Sequence, residues 1–332
     1  MAQVKYVLLL LFLPFLALGQ YTDVINSNRP GIGVSAYAVG KNVVQAETGF
    51  LYEMRDHSIL NTSSSIAGGE LALRYGFLFE QLEIKYEGTY IRENITFDNF
   101  GTEETRTDFS RNRIGVKYLV YDKYKNPEAN KPNLYSWRAN NVFRLKNLIP
   151  SAVSIYGGAT FNLGDNPFYP EDGTVWYRAM VATQSKLTPK SVLITNIAYD
   201  RITTDFPELS YTISYTRAFR NPKWSIFVEH QGIQSDRFSD LLFRGGIAHL
   251  FNPNFQADFS LGASVKNTPF RAFARTGVSY RLDFHRDELV PIEEENPQGK
   301  IKRGSMKKQG KKKKEKKQKG KKQKKKKRDF DF

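Results

Sequence analysis

The sequence predicts an all-β protein, a transmembrane antiparallel β-barrel of about twelve strands, on three observations. From about residue 42 to 284 side-chain character alternates with period two rather than 3.6. The alternating segments recur at the length a tilted membrane strand requires, about 9–11 residues. One face of each is apolar, with aromatic residues near the segment ends, while the other mixes acids and bases. A soluble sandwich also alternates, so the contents of the two faces and the connections between segments decide the class.

Taken in order, "NVVQAETGFLYEMR" sets Val44, Ala46, Thr48, Phe50, Tyr52 and Met54 against Gln45, Glu47, Glu53 and Arg55. "QLEIKYEGTYI" sets Leu82, Ile84, Tyr86 and Tyr90 against Glu83, Lys85, Glu87 and Thr89. "LSYTISYTRAF" alternates Leu209, Tyr211, Ile213 and Tyr215 with small hydroxyls. "FQADFSLGASVK" and "AFARTGVSYRLDF" repeat the pattern, with Asp258, Arg275, Arg281 and Asp283 on their polar faces. Tyr52, Phe77, Tyr90, Phe219, Trp224, Phe251, Phe255 and Phe284 fall near segment ends, where interfacial girdles would lie.

Twelve segments fit, at about 42–55, 69–78, 81–93, 111–121, 151–162, 174–187, 191–202, 209–219, 224–234, 241–251, 255–266 and 272–284. Leu78-Phe79-Glu80, Thr188-Pro189-Lys190, Arg220-Asn221-Pro222-Lys223 and Asn252-Pro253-Asn254 have turn chemistry. They alternate with longer polar connections such as "DHSILNTSSSIA" and "NITFDNFGTEETRTDFS". Short turns on one rim and long loops on the other put both barrel ends on the periplasmic side. One connection on that rim breaks the rule. "KYKNPEANKPNLYSWRANNVFRLKNLIP" is too long for a turn and leaves room for a short helix or a further strand pair, which would make the count 14.

The termini divide the chain into four regions. In 1–19, "MAQVKYVLLLLFLPFLALG", Lys5 precedes an apolar core and Ala17-Leu18-Gly19, the layout of a signal peptide cleaved before Gln20. Its apolar run is shorter than the roughly 20 residues a spanning helix needs. Residues 20–41 form a leader, 42–284 the barrel, and 285–332 a tail that is acidic ("DELVPIEEEN") and then Lys-rich. Such a tail buries no apolar surface and is expected to be disordered. Residues 300–332 hold 19 of the 50 basic residues and three of the 34 acidic ones, which leaves 31 of each in the rest of the chain. The net charge of +16 therefore resides in the tail, and an exported tail without interleaved aromatics gives no nucleic-acid footprint.

"SNRPGIGVSAYAVGKNVVQAETG", "LRYGF", "RIGVKYLVYD", "LIPSAVSIYGGATF", "FVEHQG", "FRGGIAHLFNPNFQADFSLG" and the closing "SYRLDF" resemble an outer-membrane β-barrel family labelled as meta-pathway phenol-degradation transporters. Within that family the chain looks like the Bacteroidetes-type transporter-like members, over about 25–284. The resemblance implies uptake of aromatic or hydrophobic compounds and supplies no functional residues.

By parity the lumen receives Glu47, Glu53, Arg55, Glu70, Arg74, Glu83, Lys85, Glu87, Arg113, Lys117, Arg178, Glu229, Arg244, Asp258, Arg275, Arg281 and Asp283. Two readings of these charges stand open: a constriction that selects small solutes, or an internal network of ion pairs filling a narrow barrel. The leader also has two readings, a plug in the periplasmic mouth with Arg29 meeting lumenal acids, or a segment lying against the rim. Catalysis finds no support. The chain has no cysteine, and of its four histidines His230 and His249 fall on the apolar face without an orienting acid and serine. No motif points to a metal or a cofactor. The sequence thus predicts passive passage of small solutes across the outer membrane. The alternative is a non-conducting barrel that tethers the membrane to peptidoglycan or a periplasmic partner through the Lys-rich tail, by contact with anionic groups.

Overall fold

Strands with one apolar and one charged face can satisfy both only by closing a sheet around the charged one with hydrocarbon outside. The computed structural model, which describes residues 24–125, 130–131 and 133–285, shows that closure. Twelve strands run β1 (Val43–His57), β2 (Thr62–Gly76), β3 (Leu82–Phe97), β4 (Thr102–Asp122), β5 (Ala152–Phe161), β6 (Val175–Thr188), β7 (Ser191–Asp200), β8 (Glu208–Ala218), β9 (Trp224–Ser235), β10 (Ser239–Asn252), β11 (Phe255–Ser264) and β12 (Phe270–Asp283). Each pairs antiparallel with its sequence neighbours, and β1 closes the barrel on β12 from Val43↔Asp283 to Asp56↔Phe270. The expected signal peptide (1–19) and the tail from residue 286 lie outside the described residues.

The count is twelve, not 14. Among the described residues of 123–151 there is no strand, only a short helix, α1 (Trp137–Asn141), and 3-10 turns at Lys123–Lys125 and Leu145–Leu148. Two expected long loops are also corrected. β2 begins at Thr62 and β4 at Thr102, so the links 58–61 and 98–101 are tight. The ladder continues through polar pairs such as Asn94↔Thr105 and Thr96↔Glu103. Beyond the apolar band neither face of a strand meets hydrocarbon, so backbone pairing persists after the period-two signal has gone. The link 162–174, between β5 and β6, is long and sits on that same rim.

The outer face is what a lipid solvent selects. Phe50, Met54, Ile155 and Leu261 are each just over half exposed. Along the rim that carries the barrel ends, an aromatic row crosses four strands. Trp224 meets His249 at 4.3 Å, His249 meets Phe251 at 4.5 Å, and Phe255 lies 5.4 Å from Phe251 and 6.4 Å from Tyr280. His230 packs on the same outward face between Tyr211 and Phe243. Inside, the largest fully buried side chains include Arg74, Lys117, Gln45, Glu83 and Glu229, so the core is polar.

Candidate functional site

Residues 24–41 adopt no strand or helix. Their backbone groups lack a ladder and must be satisfied by side chains, and the inward face of the barrel supplies them. The segment begins where Ile25 N donates to Pro253 O (2.8 Å) in the β10–β11 turn. It crosses the lumen and returns to the same rim, where Val39 N donates to Glu83 (3.1 Å) and Lys41 N to Glu80 (3.1 Å). Between these points Ile32 N and Gly33 N converge on the Glu229 carboxylate. Asn196 of β7 clamps Val34 through both its N–H (2.7 Å) and its C=O (2.9 Å). Lys117 donates to the carbonyls of Ser35 (3.1 Å) and Tyr37 (2.9 Å). Val34 packs among Tyr156, Met180, Ala182 and Ala198. The Tyr37 hydroxyl donates to Asp122, and burial, reinforced by that carboxylate, raises the phenol above its ordinary value and keeps it the donor.

Arg29 sits at the innermost turn of the segment. Its Nε lies 3.2 Å from Asp258 of β11 and its Nη1 3.2 Å from Glu70 of β2. Two glycines make room for it. Gly49 and Gly277 face each other across β1 and β12, and a Cβ on Gly49 would fall 2.6 Å from the guanidinium carbon. Gly31 likewise lets the turn approach Glu229, whose Oε2 would lie 2.6 Å from an added Cβ.

The charges that parity assigns to the interior all turn inward and fall into layers. In the layer nearest the barrel ends, Arg74 forks onto Glu83 (2.8 and 2.9 Å) and reaches Glu47 (3.2 Å), and Lys117 joins Glu83 at 3.1 Å. Arg281 and Asp283 pair at 3.4 Å on the rim itself. The middle layer holds Arg29, Asp258 and Glu70, with Arg275 3.4 Å from Glu70 and Arg244 3.0 Å from Glu229. Toward the far rim, Arg55 pairs with Glu53 (2.6 Å), Lys85 with Glu87 (2.7 Å), and Arg113 and Arg178 share Asp200 (2.6 and 2.8 Å).

Several partners escaped sequence reasoning. Arg271, which pairs with Glu53 (2.6 Å) and Asp240 (2.9 Å), and Asp240 itself each lie one residue outside a predicted segment. Asp200 ends β7, inside a predicted segment whose inward charges were not read. The 162–174 link bends inward and is held by Asp172, which pairs with Arg201 and with Arg237 (2.9 Å). Arg201 also stacks 4.0 Å from the Tyr169 ring. Asp172, Arg201 and Arg237 lie in links between strands, where no period marks an inward side chain, and only the fold brings them together.

Two cavities flank the leader. One of about 680 Å³ extends from Phe168, Phe238 and Pro269 at the far rim down to the leader. A smaller one of about 130 Å³ lies on the other side of the leader, against Ser214, Ser225, Phe227 and Gln256. Both are lined by Asn28, Arg29 and Gly31, so this turn is the wall between them.

Among solved structures, an outer-membrane channel from Pseudomonas putida F1 is similar at 11% identity and a TM-score of 0.46, covering 77% of this chain and 98% of its own. KdgM porin is similar at 12% identity and a TM-score of 0.42, covering 72% and 99%. The CymD monoaromatic hydrocarbon channel is similar at 10% and 0.38, covering 75% and 90%. No curated protein sequence matches. The closed barrel, with its apolar outer face and charged interior, has the build of an outer-membrane β-barrel. A family model matches residues 27–282, from the leader through the last strand, and the chain belongs to the family described as "Putative MetA-pathway of phenol degradation".

Proposed function

We propose that small solutes, aromatic compounds among them, pass through the charge-lined lumen, and that the leader acts as a plug which must shift for them to do so. The single observation behind this reading is the shared wall: Asn28, Arg29 and Gly31 border both cavities. A solute descending through the larger cavity meets that turn before it meets the periplasm. The family description supports an aromatic substrate class. The lumenal charges then have two roles. The fully buried Arg74, Glu83 and Lys117 cluster anchors the ends of the leader, and the more open Arg55, Glu87, Arg178 and Arg275 face the solute path. On the same reading, residues 1–19 are an export signal removed before Gln20, and the Lys-rich tail works in the periplasm, where peptidoglycan and lipid headgroups offer anionic contacts.

Locking the leader tests the proposal. A Cβ on Gly33 would lie 3.2 Å from Ser214 Cβ, near the roughly 3.5–4.5 Å of a disulfide. The chain has no other cysteine to interfere. The pair Gly33→Cys/Ser214→Cys is expected to suppress liposome swelling and single-channel steps when oxidised and to regain them with reductant. Equal permeation in both redox states would show that the leader does not move during passage.

A further inference from the structure

The β4–β5 connection, residues 123–151, is not used by the channel reading. We propose that its described residues, 123–125, 130–131 and 133–151, form a membrane-interface anchor which docks on anionic phospholipid headgroups of the periplasmic leaflet. Three observations lead there.

First, the connection lies on the outer face at Leu145–Leu148. Gln184 of β6 bonds Ser35 inside the barrel, so Ser185 points to the outer face. Yet Ser185 is only 4% exposed, because the Leu145–Leu148 turn covers it and Leu148 O accepts from its hydroxyl at 2.9 Å. Asn147 ties the same turn to Leu187 O at 2.7 Å. The turn therefore lies on the sheet face that further along β6 presents Val181 and Tyr177 to lipid, continuous with the apolar belt and away from the lumen mouth.

Second, the connection exposes large apolar side chains that no described residue covers. Leu134, Trp137, Leu145 and Ile149 are 89%, 77%, 78% and 69% exposed. Trp at the level of the barrel-end rim is the residue type that settles among headgroups.

Third, these side chains are interspersed with cations. Lys123, Lys125, Arg138, Arg144 and Lys146 are all exposed, and Glu128 is the only acid in 123–151. Apolar and aromatic groups mixed with Lys and Arg beside a bilayer match a surface that is hydrocarbon below and phosphate above. A protein partner would be expected to bring its own acidic face, but the location of the turn on the lipid-facing side of β6 favours the membrane.

Because the protein is cysteine-free, single labelling sites are available in the full chain. Spin labels introduced through Trp137→Cys and Leu145→Cys are to be compared with Phe251→Cys in the lipid belt and Phe100→Cys at an outer hairpin tip. The host is a phosphatidylethanolamine/phosphatidylglycerol liposome. We expect labels at 137 and 145 to collide with oxygen more than with a water-soluble nickel chelate, as at 251 and opposite to 100. Replacing Lys125, Arg138, Arg144 and Lys146 by Gln, or omitting phosphatidylglycerol, is expected to move both labels several-fold toward nickel access. Nickel access equal to that at 100 would overturn the proposal, as would shielding from both reagents, which signals a protein contact. An oxygen-rich profile indifferent to charge would overturn the headgroup contact. Heat-modifiable migration on gels confirms that each variant is folded.

Discussion

Arg29 shows how far a single side chain can set the state of the lumen. Its guanidinium bridges Asp258 and Glu70 from different strands, and removing it leaves Asp258 without its cation and Glu70 with Arg275 alone. Breaking a buried pair in this way costs about 3–5 kcal/mol, a large fraction of what holds a segment with no ladder of its own. Arg29→Ala is therefore expected to raise open probability in planar bilayers. Gly49→Val should do the same by a steric route, because its side chain occupies the guanidinium niche. Conductance unchanged in both variants would show that the turn is not the barrier. A contact of Arg29 with interior acids was one of two readings the sequence left open for the leader, beside a segment lying against the rim. The niche was not legible, because Gly49 and Gly277 are 228 positions apart in sequence and only the β1–β12 closure sets them opposite each other.

At the scale of elements, legibility followed the lipid. Wherever a strand crosses the apolar band, alternation located it within a few residues, because water on one side and hydrocarbon on the other impose opposite demands on successive side chains. Where β2, β3 and β4 rise beyond the band, both faces meet water, the alternation fades, and the extensions read as loops. The ladder there still pairs Thr62↔Phe97 and Phe97↔Thr102. Such an extension adds little to the membrane-embedded fold. Deleting residues 95–104 and closing the hairpin with Asn-Gly is expected to leave detergent-refolded protein heat-modifiable, with its melting temperature lowered by only a few degrees. Loss of folding would mean that the hairpin nucleates the barrel rather than decorating it. The 123–151 connection was legible only as an exception to the short-turn rule, since its outward course depends on Ser185 and Asn147, polar residues of no special pattern.

At the scale of the described barrel, composition and field diverge. Outside residues 300–332 the sequence is formally neutral, with 31 basic and 31 acidic residues, which gives no ion preference. The lining of the large cavity is different, with 13 basic and eight acidic side chains. The leader accounts for much of the imbalance, because it satisfies its backbone N–H groups with carboxylates: Glu229 through Ile32 and Gly33, and Glu83 through Val39. Those two acids are turned away from the cavity, as is Asp258 beneath Arg29. The bases opposite them are not all consumed. Arg111 lines the cavity, is exposed there, and makes no ion pair or side-chain hydrogen bond among the described residues. Four of the five excess bases pair with acids outside the lining, Arg29 with Asp258, Lys117 with Glu83, Arg244 with Glu229 and Arg201 with Asp172, so the unmatched positive charge facing the lumen is that of Arg111, and a positive charge in a pore favours anions. We expect reversal potentials in a KCl gradient to report chloride preference, strongest near 0.1 M, where the screening length is about 10 Å, and fading at 1 M, where it is about 3 Å. Arg111→Glu changes the cavity by two charges without touching an ion pair, and should lower the chloride-to-potassium permeability ratio severalfold with little change in melting temperature. A ratio that stays fixed while conductance persists would place the ion path outside this cavity, along the barrel wall on the other side of the leader.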